Sequence, residues 1–316
     1  MNSALNSAIN GLSTPLNADI YTFEEWLGMI ETVPNRVGDG LRDLGDELEL
    51  RALALQVLKF KMPLEKQIAL RELYKRGQAG QLYLDAQRDW AQNDDLNQHC
   101  PGIPNQPELI RATETPRRSM NTTEGLAITI HALAHIEFNA INLALDAMVR
   151  FAGLSEDYYW DWWRVAAEEA YHFSLIQHRL NQLGAQYGDY PAHSGLWDMA
   201  ERTKYSFADR MAMVPRTLEA RGLDACPVMQ EKFRQAGETH TAQILDIILR
   251  DEITHVALGH RWFIHACAQH QHEPIREYRR IAEQHRAPRM RPPFNIPARR
   301  AAGFFEEELQ AWQNQQ

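Results

Sequence analysis

Cysteine is scarce in this sequence: Cys100, Cys226 and Cys267 stand far apart, with no Cys-x-x-Cys pair. That excludes a disulfide frame and a cysteine-based zinc site, and reads as three reduced thiols in a cytoplasmic protein. Long apolar runs are missing too. No stretch approaches the roughly 20 residues that a bilayer span requires, so no membrane association is expected. Met1 to Asp19 has neither a basic start nor an apolar stretch, so a secretory leader is not expected. Strand-like alternation is absent even beside Asn10-Gly11 and Asp39-Gly40, the dipeptides able to turn a hairpin, and almost no sheet is expected. Positive charge is also short: 33 Lys and Arg against 42 Asp and Glu leave a net charge of -9. A general nucleic-acid binder would ordinarily be basic, so that partner is not favoured.

What is present is material for a packed helical core. Hydrophobic residues make up 44% of 316 positions, with eight Trp, enough for one large domain or two. Thr22 before Phe23-Glu24-Glu25 reads as a helix cap, and Asp43 to Lys61 and Pro63 to Gly77 carry 3.6-residue apolar spacing. Pro101, Pro104, Pro107 and Pro116 make Asp94 to Ser119 a loop. Four longer helices follow, roughly Thr122–Phe151, Glu156–Leu183, Leu196–Arg221 and Val228–Gln269, with Gly184–Gly195 linking the second to the third. The fold class is therefore all-α. An N-terminal helical region occupies 1–114, a four-helix bundle 115–272 and a C-terminal Pro/Arg-rich arm 273–316.

Two short runs carry the chemistry: Glu168-Glu169-Ala170-Tyr171-His172 and Asp251-Glu252-Ile253-Thr254-His255. Each is an acid followed by Glu-x-x-His, and on a helix residues at i and i+3 project from one side. With 25 Glu and 13 His, chance supplies about one bare Glu-x-x-His, but only roughly a seventh of a match with the preceding acid. Two occur. Glu137 lies 32 residues before Glu169 and Glu219 lies 33 before Glu252, so the pattern repeats. A carboxylate-bridged dimetal centre takes one Glu from each of two helices and Glu-x-x-His from each of two others, and that count is met. Apolar neighbours one turn away, such as Leu133 and Ile141, Val165 and Ile176, Ile248 and Val256, put these acids on faces where an ionised group is costly unless paired or metal-bound. Glu219 stands apart, because Pro215 and Gly222 kink or end its helix nearby, with Asp209 and Glu201 as fallback ligands. Carboxylate and imidazole donors suit iron or manganese.

Around this set, Glu168 and Asp251 could accept a hydrogen bond from a ligand histidine of the partner helix, fixing its tautomer. Tyr171 could sit close to the metals, although helix packing carries more weight. Trp160, Trp162 and Trp163 read as core. His131 and His135 share a face with Glu124, but Asn139, Asn142 and Asp146 continue it, and a polar or solvated stripe is the better reading. Between Arg276 and Arg300 eight Arg face only Glu277 and Glu283, about six net positive charges, among Pro288, Pro292, Pro293 and Pro297. This reads as an extended arm and not a regular helix. Arg276, Arg279, Arg280, Arg289, Arg291, Arg299 and Arg300 could hold an anion, but an arm lying on its own acidic body carries more weight.

The runs His131–Ala140, Glu168–His172, Leu218–Gly222 and Asp251–His255 together resemble the ferritin-like superfamily. More narrowly they resemble its bacterial branch catalogued as domain of unknown function 455, over about Thr115 to Gly303, including Pro116–Arg118. A more distant similarity is to the tRNA-modifying di-iron monooxygenase. The resemblance implies a ferritin-like bundle with Glu137, Glu169, His172, Glu219, Glu252 and His255 as ligands to two iron ions, manganese or a mixed pair being alternatives. The activity expected is oxygen-activating oxidation of an unidentified small organic substrate by a monomer or homodimer, with a separate electron donor. Iron storage and RNA hydroxylation are the other readings.

Overall fold

The computed structural model describes residues 17–29, 48–114 and 119–315. Asn10-Gly11, Asp39-Gly40, the start of the Asp43–Lys61 helix and Thr115–Arg118 lie outside the described residues. The chain is all-helical: among the described residues there is no strand, only the single bridges Glu49 to Tyr83 and Leu109 to Ala192. It divides into two compact units, one of Tyr21–Trp197 and one of Asp198–Gln316 joined by the described residues before Tyr21.

In the first unit α1 is Phe23–Gly28, α2 Leu50–Lys59, α3 Pro63–Gln78, α4 Thr123–Arg150 and α5 Glu156–Gln182. Thr22 starts α1 through a capping box with Glu25. Thr122 caps α4, its side chain accepting the Gly125 amide at 3.1 Å. Helix α2 packs on α4 and α3 on α5, so the long α4–α5 pair is backed by a shorter one. Arg51 of α2 is fully buried and satisfied by carbonyls, among them Met148 (3.0 Å) and Val149 (2.7 Å) at the end of α4. It thereby neutralises orphan acceptors at a helix C-terminus, where positive charge is favoured. By length and composition α4 also meets the mark for a bilayer span, though the sequence offered no obvious one. Its apolar window is 67% buried inside the protein, and Asp146 and Arg150 pair within the helix at 2.6 Å. It is a core helix.

Helix α6, Gly195–Arg202, runs across the division at Trp197, and in the second unit α7 is Phe207–Met213, α8 Ala220–Gln235, α9 Thr239–Gln269, α10 Pro274–Gln284, α11 Ile296–Ala301 and α12 Glu306–Gln313. A wider π turn, Val214–Glu219, joins α7 to α8 without a break. The expected end near Gly222 and restart at Val228 are therefore corrected: α8 runs through both Gly222 and Pro227. Pro227 cannot bond back to the Leu223 carbonyl. The Asn295 side chain does so instead, its Nδ2 donating to Leu223 O at 3.1 Å. The chain actually turns at Gly237, in the left-handed region at φ 78°, before Glu238 caps α9.

The Arg-rich arm is corrected as well. It holds regular helices, α10 and α11, because Pro274 and Pro297 fall in first turns, where a missing N–H costs nothing. Pro288, Pro292 and Pro293 occupy the link between them. Phe294, Ile296, Phe304 and Leu309 enter a core with Ala220, Leu223 and Val256 of α8 and α9.

Candidate metal centre

Helix α4 supplies Glu137, and α5 supplies Glu169 and His172. His172 is fully buried and the two acids nearly so. Its Nδ1 lies 3.4 Å from Glu169 Oε2 and 3.6 Å from Glu137 Oε2. Each of the three offers a ligand atom within 4.8 Å of the others. Donors about 2.1 Å from a shared ion stand roughly 3.0–3.4 Å apart, so the trio is close to the spacing a metal demands. The placement follows from the local fold. A short link returns the chain antiparallel to α4, and Glu169 and His172, one turn apart on α5, come beside Glu137.

The second unit repeats the Glu–His pair on one helix. On α9, His255 Nδ1 lies 3.7 Å from Glu252 Oε1, with His255 fully buried. Glu219 ends the π turn, half-buried, with its Oε2 shut off from solvent. The fallback ligands are engaged elsewhere. Asp209 Oδ2 meets His285 Nε2 at 2.6 Å and its Oδ1 accepts from Ser206, while Glu201 pairs with Lys204 at 2.9 Å.

Glu168 accepts from Arg164 Nε at 2.8 Å, and Asp251 from Arg250 Nε at 2.8 Å. Tyr171 packs against Phe23 and Trp26 and donates its hydroxyl to Tyr21 O at 2.7 Å, the packing role. Trp162 and Trp163 are buried core, with Trp160 half-buried.

The His131 and His135 face is polar, as that reading has it: Glu124 at its start is exposed, while His131, Asn139, Asn142 and Asp146 are buried. The 184–195 link folds back over it. His131 stacks on Tyr187 with ring centroids 5.3 Å apart and accepts the Gly188 amide at 2.9 Å. His135 Nδ1 meets the Tyr187 hydroxyl at 2.9 Å and Nε2 the His193 carbonyl at 3.1 Å. Burial pushes the His135 imidazole down to about 4. Helix periodicity reports faces but not the loops that cover them; Tyr187 and Tyr190 were the available signal. Of the arm arginines, Arg279 pairs with Glu307, Arg280 with Glu277, Arg299 with Asp224 and Arg300 with Glu306, while Arg276, Arg289 and Arg291 are exposed.

The two residues that sequence reasoning passed over are Arg216, buried in the π turn, and Glu308 of α12, its partner at 2.6 Å. An arginine three positions before Glu219 was visible, but its partner lies 92 residues away.

Residues 59–310 match the family described as "Protein of unknown function (DUF455)". An uncharacterized protein of Haemophilus influenzae is 46% identical over 214 residues, which is 66% of this chain and 74% of that protein. No solved structure matches.

Proposed function

The chain belongs to the DUF455 family, and we propose that it is a ferritin-like dimetal protein that oxidises a small organic substrate. The observation that carries this reading is the buried trio Glu137, Glu169 and His172, with a second Glu/His pair of the same spacing, Glu252 and His255, on α9. The donor set fits the ions: four carboxylates balance two divalent charges, two imidazoles add neutral donors, and the mixture suits iron or manganese over copper. Glu137, Glu169 and His172 would hold one ion, and Glu219, Glu252 and His255 the other. So held, ferrous ions would supply reducing equivalents for dioxygen activation, with an external electron donor restoring them.

The rest falls to the chain's own side chains. Apolar neighbours such as Ala134, Ile141, Ala166 and Ile176 are wholly buried and keep water from Glu137 and Glu169. In that setting ionised carboxylates favour cation binding strongly. Arg164 fixes Glu168 beside Glu169. Three free thiols suit a reducing cytoplasm. An RNA substrate is the weaker reading, since Arg279, Arg280, Arg299 and Arg300 are already matched by carboxylates of the same unit.

The full-length protein loaded anaerobically with ferrous iron should carry two ions per chain by elemental analysis. Glu169→Ala and Glu252→Ala should each lose metal. Wild-type iron content in both variants refutes the reading. A multi-subunit cage on a sizing column would turn it toward iron storage.

A further inference from the structure

The Val214–Glu219 π turn is pinned by residues that metal binding itself does not use. Arg216, three positions before Glu219, is 1% exposed. Its NH2 donates to both carboxylate oxygens of Glu308, at 2.6 and 2.7 Å, and its Nε to His260 Nδ1 at 3.1 Å. The guanidinium lies 4.0 Å from the Tyr278 ring centre and 4.9 Å from that of Phe304. Burial first, and the Arg216 charge second, hold His260 down at about 4, so it remains neutral and able to accept. These partners come from α9, α10, α12 and the turn before α12. Beside Arg216, Pro215 is pressed so closely against Gly259 of α9 that a Cβ there would stand 2.2 Å from its ring. The turn thus has a steric anchor and an ionic one on adjacent residues.

The anchoring matters because of helix register. A π turn accommodates one residue more than an α turn and has poorer hydrogen-bond geometry, so it persists where its surroundings require it. If it relaxed to α, every later side chain would rotate by about 100° about the helix axis relative to α7. Glu219, the last residue of the turn, would then leave its face.

We infer that Arg216 and Glu308 are a positioning pair through which the C-terminal helix α12 holds the π turn and sets the ion affinity of the Glu219, Glu252 and His255 half-site. The inference rests on the dimetal reading above. A buried guanidinium with a two-oxygen partner is held in one geometry, and losing that partner leaves an uncompensated charge that moves.

The test titrates manganese(II) alone into full-length wild type, Glu308→Gln, and the double variant Arg216→Met with Glu308→Leu. The double variant replaces the buried pair with apolar side chains of similar volume, which ordinarily preserves folding, and it answers even if Glu308→Gln does not fold. Wild type should bind two ions. The double variant should keep one at wild-type affinity and bind the other about 10- to 100-fold more weakly, the usual cost of losing a residue that orients a ligand. Glu307→Gln, which breaks only an exposed pair with Arg279, should bind as wild type. Two ions at wild-type affinity in the double variant overturn the inference, as does equal weakening of both ions. Fewer than two ions in wild type is a different failure: it removes the dimetal reading and the inference with it.

Discussion

Replacing Gly259 by alanine tests how closely α9 meets the π turn. The added methyl would stand 2.2 Å from Pro215 Cβ and 2.5 Å from Cγ, where ordinary contact begins near 3.4 Å. One backbone must move by more than 1 Å, and neither a proline ring nor a long helix yields easily. Overpacking of this kind costs about 1–3 kcal/mol, offset by up to about 1 kcal/mol for removing a helical glycine. An overlap of more than 1 Å puts the cost in the upper part of that range, about 2–3 kcal/mol, so the net loss is about 1–2 kcal/mol, or a fall of roughly 2–8 °C in Tm at about 2–4 °C per kcal/mol. Gly222→Ala is the matched control. It sits in α8, where a Cβ meets nothing within 4 Å, and should raise stability by about 0.5–1 kcal/mol. Thermal unfolding of the two variants followed by circular dichroism, with metal content measured alongside, gives the comparison. A Gly259→Ala protein as stable as wild type, or a Gly222→Ala protein destabilised by the same amount, refutes the argument from close approach.

Two further outcomes are expected. Lys66 is wholly buried, its ammonium reaching the Val57 and Leu58 carbonyls at 3.0 and 2.8 Å, and burial lowers it from 10.5 to about 7. A depressed folded value means that the unfolded chain holds the proton more tightly between about 7 and 10.5. Stability tied to Lys66 is therefore lowest below pH 7 and rises through that window, by at most roughly 5 kcal/mol. Urea unfolding from pH 6.5 to 10 should show this rise in wild type and a flatter curve in Lys66→Met; parallel curves would contradict it. Asp224→Ala strands the buried Arg299, whose Nε it binds at 2.9 Å, and should cost about 3–5 kcal/mol in the same assay. A loss below 1 kcal/mol would mean that Arg299 finds another partner.

How much was legible in advance depended on the range over which each feature is encoded. The α4 and α5 helices follow from periodicity, and the one-turn placement of Glu169 and His172 from i, i+3 spacing; both signals are local, and the helix bounds agree within a residue or two. The path of α8 was not legible. Pro227 reads locally as a breaker, and only Asn295, far along the chain, supplies the bond that lets the helix pass. The arm misled for a related reason: counting prolines ignores that Pro274 and Pro297 sit where helices tolerate them. The stripe of His131 and His135 was seen as polar, but its cover, the link with Tyr187 and Tyr190, has no periodic signature. Arg216 went unnoticed because its meaning lies in Glu308, close only after folding.

The side chain of Asn295 filling the place left by Pro227 has a practical corollary. Deleting residues from the carboxyl end backward past Asn295 would strip a middle helix of an acceptor's mate and strand the Leu223 carbonyl, instead of trimming a dispensable tail.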